Sequence, residues 1–172
     1  MKHYEPVEMS NLDIIRKKVL DNWPSKYDFK PALIYFPDKF GPFEKIDELW
    51  NEVSKLSLYD KVIKVGCHNS LGNGPIHIDL ERFEYSLNIP IANTENSIVN
   101  FFESDKEPTP MKAELGKNPF PAWKREDCKL IDKFVLDKPH IMKTNVPHQV
   151  CNMGINMRKV LLIRLHQVGK LF

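Results

Sequence analysis

Pro75-Ile76-His77-Ile78-Asp79-Leu80 alternates apolar and polar side chains. In an extended strand successive side chains point to opposite faces, so His77 and Asp79 project from the same one. An imidazole and a carboxylate held side by side make half of a metal site. A second stretch, Val146-Pro147-His148, starts another strand far downstream and supplies a further imidazole, with room for a sheet between the two. Two histidines and one carboxylate on one face of an ion suit non-haem Fe(II) and leave positions open for other ligands. Arg158 then opens the next strand, ten residues after His148. A planar guanidinium grips a carboxylate through two parallel hydrogen bonds and stays charged in a pocket. A dicarboxylate cosubstrate that meets the metal at one end would therefore reach Arg158 at the other. The alternative for this residue is a surface arginine balancing an acid.

Outward from these segments the chain divides in two. Ser10-Asn11-Leu12-Asp13 predicts a capped helix start, and Leu12, Ile15, Val19 and Trp23 recur at helical spacing until Pro24. Ala32 to Phe36, bounded by prolines, predicts one strand. A second helix is expected from Pro42, with Phe43, Ile46, Leu49, Trp50 and Val53 as its buried stripe. From Leu58 onward the texture is that of short strands. They are expected at 59–65, around His77 and Asp79, and at 84–91, 97–103, 129–135, 139–144, 148–152 and 158–166. His68 to Gly74 supplies turn chemistry, and a charged turn lies at Glu81-Arg82. Residues 104–128 hold Pro108, Pro110, Pro119 and Pro121 with Phe120 and Trp123, which suits either a lid or a loop pinned to the surface.

The expected fold is mainly β (α+β): a jelly roll, or double-stranded β-helix, with N-terminal helices packed on one sheet. The 172 residues are expected to form a single domain. Its parts are a helical support with one strand over 1–57, a jelly-roll core over 58–168, and a proline-rich candidate lid over 104–128.

Composition narrows the function classes. A net charge of +2 gives no nucleic-acid footprint, although acidic residues prevail up to 105 and basic ones beyond. No apolar run is long enough for a membrane span, and Met1-Lys2-His3-Tyr4-Glu5 lacks the apolar core expected of a signal peptide. Three cysteines without paired spacing argue against a disulfide framework and suit a cytoplasmic protein. Cys151 falls on the strand face opposite His148. Cys67-His68 has poor spacing to other ligands for zinc, and His140 and His166 read as structural or exposed.

The order His77-x-Asp79, His148, Arg158 resembles the Fe(II)- and 2-oxoglutarate-dependent oxygenases, and within them small, little-characterised members. The resemblance spans Gly66 to Gln167. Leu87-Asn88-Ile89-Pro90-Ile91 and Asn145-Val146-Pro147-His148-Gln149-Val150 are its most telling segments, while the first 60 residues carry none of it. It implies that His77, Asp79 and His148 hold Fe(II) and that Arg158 binds the far carboxylate of 2-oxoglutarate. Asn88 is a further cosubstrate candidate, because a polar side chain inside an apolar strand is costly without a partner; it would equally serve buried backbone. Ser86 lies on the same face. Many family members have a hydroxyl two residues after the arginine, where this chain has Val160. The implied activity is that of a dioxygenase, hydroxylating a small molecule or peptide with O₂ and releasing succinate and CO₂. Two other readings keep the jelly roll: a cupin-like metal enzyme without 2-oxoglutarate, and a binding module without catalysis.

Overall fold

The computed structural model describes residues 2–28, 30–79, 83–112 and 119–166. The expected turn at Glu81-Arg82 and the end of the core at 167–168 lie outside these residues. In chain order the main elements are β1 (Tyr4–Pro6), α1 (Leu12–Asp21), β2 (Ala32–Tyr35), α2 (Asp47–Lys55), β3 (Val62–Ser70), β4 (Gly72–Asn73), β5 (Ile76–His77), β6 (Tyr85–Ala92) and β7 (Ser97–Glu103). There follow β8 (Thr109–Lys112), β9 (Pro119–Trp123), β10 (Lys129–Val135), β11 (His140–Lys143), β12 (His148–Asn152) and β13 (Arg158–Leu165). They form two antiparallel sheets. One has six strands in the order β1-β11-β6-β13-β3-β2; the other has seven in the order β10-β7-β12-β5-β9-β8, with β4 beside β12. The result is a jelly-roll-like sandwich. Among the described residues, no helix is long and apolar enough to cross a membrane.

Strand periodicity explains the layering, because each central strand of the six-stranded sheet is buried on both faces. On β13, Leu161, Ile163 and Leu165 point outward and join Ile15 and Val19 of α1 and Leu49 and Val53 of α2 in the larger core. Val160 and Leu162 point inward and pack with Val99, Phe101, Phe134 and Met142 in a second core between the sheets. Arg158 and Arg164 share the parity of that inward set. On β6, Leu87, Ile89 and Ile91 face the helices, so Ser86 and Asn88 face in. Full burial of a Leu or Phe side chain contributes about 1.5–3 kcal/mol, so these two cores hold the inner polar residues in place.

Several local expectations are corrected. The first helix starts at Leu12 as expected, but no side chain caps it; Asn11 Nδ2 instead donates to Glu52 Oε1 at 3.0 Å, tying α1 to α2. Gly41–Phe43 form a separate 3₁₀ turn, and α2 begins only at Asp47. The strand expected at 59–65 starts at Val62 and runs on through Ser70, so His68, Asn69 and Ser70 are strand rather than turn. Pairing to β13 on one side and β2 on the other overrides their turn propensity. Tyr4–Pro6, unmarked by any sequence signal, pairs with β11. The stretch 104–128 is not a bare loop: β8 and β9 pair within it and continue the seven-stranded sheet to its edge strand β8, where a proline such as Pro110 is tolerated. Residues 113–118 of that stretch lie outside the described ones. Trp123 Nε1 donates to the Lys106 carbonyl at 2.7 Å, tying the far strand back to the segment's start.

Candidate metal centre

β5 is only two residues long, and the register that matters is its pairing with β12, where His148 stands directly opposite His77. Side chains directly opposite in an antiparallel pair share a face. The two imidazole centroids are 4.6 Å apart. Asp79 lies just past the strand, where its backbone N–H donates to the Thr144 carbonyl at 2.9 Å. Its Oδ1 sits 3.5 Å from His77 Nε2. One donor atom from each of His77, Asp79 and His148 falls within 4.8 Å of the others, the one such three-residue cluster among the described residues.

Backbone carbonyls orient both histidines. His77 Nδ1 lies 3.1 Å from the Pro75 carbonyl and His148 Nδ1 lies 2.9 Å from that of Val146. A carbonyl only accepts, so each Nδ1 carries a hydrogen and Nε2 is the ring nitrogen left to serve as a ligand. Burial, with His77 nearby, lowers the His148 pKa to about 4 against the pull of Asp79. The ring is therefore neutral at neutral pH, the form that binds a metal. Burial would raise the Asp79 pKa, but Arg164 above all, with both histidines, holds it well below the usual carboxylate range. Two imidazoles and one ionised carboxylate are a donor set that fits Fe(II).

Two arginines of β13 enter the same cavity, which also includes Leu33, His68, Asn88 and Thr144. Arg164 Nη1 forms a short charge-assisted hydrogen bond to Asp79 Oδ2, and its Nε donates to the Tyr35 hydroxyl at 2.7 Å. Its guanidinium lies 5.8 Å and 5.5 Å from the Tyr35 and Phe83 ring centroids. Arg158 is fully buried. Its Nη1 donates to Ser70 Oγ at 3.2 Å and to His68 Nδ1 at 3.4 Å. Its Nε and Nη2 have no hydrogen-bond partner among the described residues. Burial lowers its pKa to about 9, so it stays charged at neutral pH. Burial and the charges of Arg158 and Arg164 lower His68 to about 3, which keeps its Nδ1 an acceptor.

Asn88 borders this cavity with two contacts already made. Ser86 Oγ donates to its Oδ1 at 2.6 Å, and its Nδ2 donates to Met142 Sδ at 3.0 Å. One N–H and one lone pair remain by count. Cys151 is buried, and Cys67 faces the helices rather than its neighbour His68, so no zinc set forms there. His140 stacks on Phe134 at 4.3 Å, a packing role. Sequence reasoning missed Arg164, Tyr35 and Ser70, and weighed His68 only beside Cys67 as a poor zinc candidate. Arg164 had a readable signal, since six residues separate it from Arg158 and an even spacing along one strand means one face.

No family model matches the chain, and no curated protein matches it. Among solved structures, the fold is similar to AviO1 from Streptomyces viridochromogenes Tue57, with a TM-score of 0.56 and 12% identity over 97% of this chain and 90% of that one. It is also similar to a Pseudomonas putida prolyl-4-hydroxylase, with a TM-score of 0.51 and 14% identity over 98% and 95%. At such identities, what the chain shares with these two proteins is the jelly-roll-like fold.

Proposed function

We propose that the chain is an Fe(II)- and 2-oxoglutarate-dependent oxygenase whose sandwich is a double-stranded β-helix. The observation that carries the reading is Arg158: a fully buried cation with two N–H-bearing nitrogens unpartnered among the described residues, bordering the cavity of the His77, Asp79 and His148 cluster. An unpaired buried charge is expensive, and an anionic ligand is what would repay it. A prolyl-4-hydroxylase of similar fold supports the same choice.

His77 and His148 would offer Nε2 and Asp79 its Oδ1, with Oδ2 held back by Arg164. Bound Fe(II) would supply O₂-dependent oxidative decarboxylation of 2-oxoglutarate, one oxygen atom entering succinate as CO₂ leaves and the other inserting into a substrate C–H bond. Arg158 would hold the far carboxylate through Nε and Nη2 and fix the cosubstrate's direction. Asn88 would add a hydrogen bond from its second N–H. Residues 104–128 would cover the substrate, and reduced proteolytic cutting there on addition of metal and 2-oxoglutarate would be the sign of it.

Anaerobic addition of Fe(II) and then 2-oxoglutarate should change the visible spectrum, and aerobic turnover should release succinate. Metal binding without any effect of 2-oxoglutarate would favour a cupin-like enzyme, and no metal binding would favour a binding module.

A further inference from the structure

The cavity near Arg158 is narrow, about 50 Å³. A second one, of about 310 Å³, shares His77, Asp79, His68 and Leu33 with it and spreads the other way. Its walls include Leu33, Tyr35, Ile78, Phe83, Phe120 and Val150. Phe120 meets the His77 ring edge-on at 5.4 Å, so whatever fills this space lies against the proposed metal centre. Leu33 keeps 47% of its surface exposed, a cost that an apolar occupant would remove.

Charge decides what enters. The Asp79 carboxylate is matched by Arg164, and Arg164 is further occupied by Tyr35. His68 accepts from Arg158, which requires an unprotonated Nδ1, and Ser70 receives the same donor. Among the described residues that line the wide cavity there is one acid, Asp79, already paired with Arg164, and no lysine or arginine. A carboxylate or ammonium held within it would lose its hydration without a partner among those residues. A dry cavity of roughly 150 Å³ accommodates one benzene ring, and this one is about twice that.

We infer that the wide cavity takes an uncharged aromatic or branched hydrocarbon group of about two fused rings, presented by the substrate to the metal centre. Calling that occupant the substrate rests on the oxygenase reading; the preference for an uncharged group rests on the cavity alone.

The test is calorimetric titration of the full chain, without metal, with 2-naphthol, 2-naphthoate and 2-naphthylmethylammonium at neutral pH. The neutral probe should bind at least tenfold tighter than the ammonium probe, and at least tenfold tighter than 2-naphthoate once Arg158→Met removes the guanidinium that a carboxylate could reach from the adjoining cavity. Leu33→Trp, which fills the space, should weaken 2-naphthol tenfold or more, with melting temperature as the folding check. Leu33→Asp should reverse the order in favour of the ammonium probe. Equal or tighter binding of the ammonium probe to the unaltered chain, equal or tighter binding of 2-naphthoate to the Arg158→Met chain, or indifference of 2-naphthol to both Leu33 variants, would overturn the inference. A parallel Mn(II) titration separates the two claims. If Mn(II) fails to bind while 2-naphthol binds as expected, the oxygenase reading falls and the cavity's preference stands. If Mn(II) and 2-oxoglutarate bind but the neutral probe has no advantage, the reverse holds.

Discussion

The two ends of β13 each bury an arginine on the same face of the same strand, and the two are satisfied in opposite ways. Arg164 is enclosed by Asp79, Tyr35 and Phe83. Burial alone would lower its pKa, yet Asp79 and Tyr35 more than offset that, and it is raised. Among the described residues Arg158 has two neutral acceptors, both for one of its nitrogens, and burial lowers its pKa to about 9. The difference separates roles. Arg164 fixes one oxygen of Asp79, whereas Arg158 has no acid beside it among the described residues, the place that the proposed cosubstrate would fill.

The sharpest way to break this comparison is to remove each guanidinium in turn. Arg164→Met should lower stability by about 3–5 kcal/mol in chemical denaturation, because Asp79 would remain buried without its counter-charge. An unchanged midpoint would mean that the pair contributes nothing.

Lowering the pH comes next. His148 and His68 titrate near 4 and 3 in the folded chain but near 6.5 when unfolded. Between those values the unfolded state binds more protons, so stability is complete above pH 6.5 and falls as pH drops toward 4. The slope is as much as about 1.4 kcal/mol per pH unit for each ring. The depressed Asp79 pKa adds a contribution that is present above about pH 4 and lost on further acidification. Denaturation midpoints that stay flat from pH 7 to pH 4.5 would contradict the burial of both rings as neutral groups.

Arg158→Met should move stability the other way. Replacing an unpaired buried cation by an apolar side chain of similar length should stabilise the metal-free protein by about 1–3 kcal/mol. A destabilised variant would show that Arg158 has structural partners. The smallest change is Tyr35→Phe, which removes one acceptor from Arg164 in a half-buried position. It should cost about 1 kcal/mol of thermal stability and leave the Arg158 site untouched.

Much of this was legible in the chain, and the pattern of what was not is physical. The limits of β7, β10 and β12 follow the alternation closely, because each is a short strand closed by turn residues. The spacing of His77, Asp79, His148 and Arg158 was readable because strand parity and a ten-residue step need no tertiary information. His68 and Ser70 were hidden because polar strand residues facing a buried cavity carry the same composition as a turn. Tyr35 was absorbed into an apolar strand, although its hydroxyl serves Arg164. Asn11 read as a cap, yet its amide found Glu52, a partner 41 residues away in sequence. Contacts of that separation leave no local mark.

The central claim is that Arg158 awaits the far carboxylate of a cosubstrate held at His77, Asp79 and His148. Anaerobic calorimetry of the Mn(II)-loaded protein with 2-oxoglutarate and with 2-oxobutyrate, which lacks that carboxylate, tests it directly. A buried charge pair of this kind is worth about 2–5 kcal/mol, so the unaltered chain should prefer 2-oxoglutarate by roughly 30-fold to several thousand-fold, and Arg158→Met should abolish the preference. Equal affinity for the two acids, or a preference that survives the substitution, would contradict the assignment.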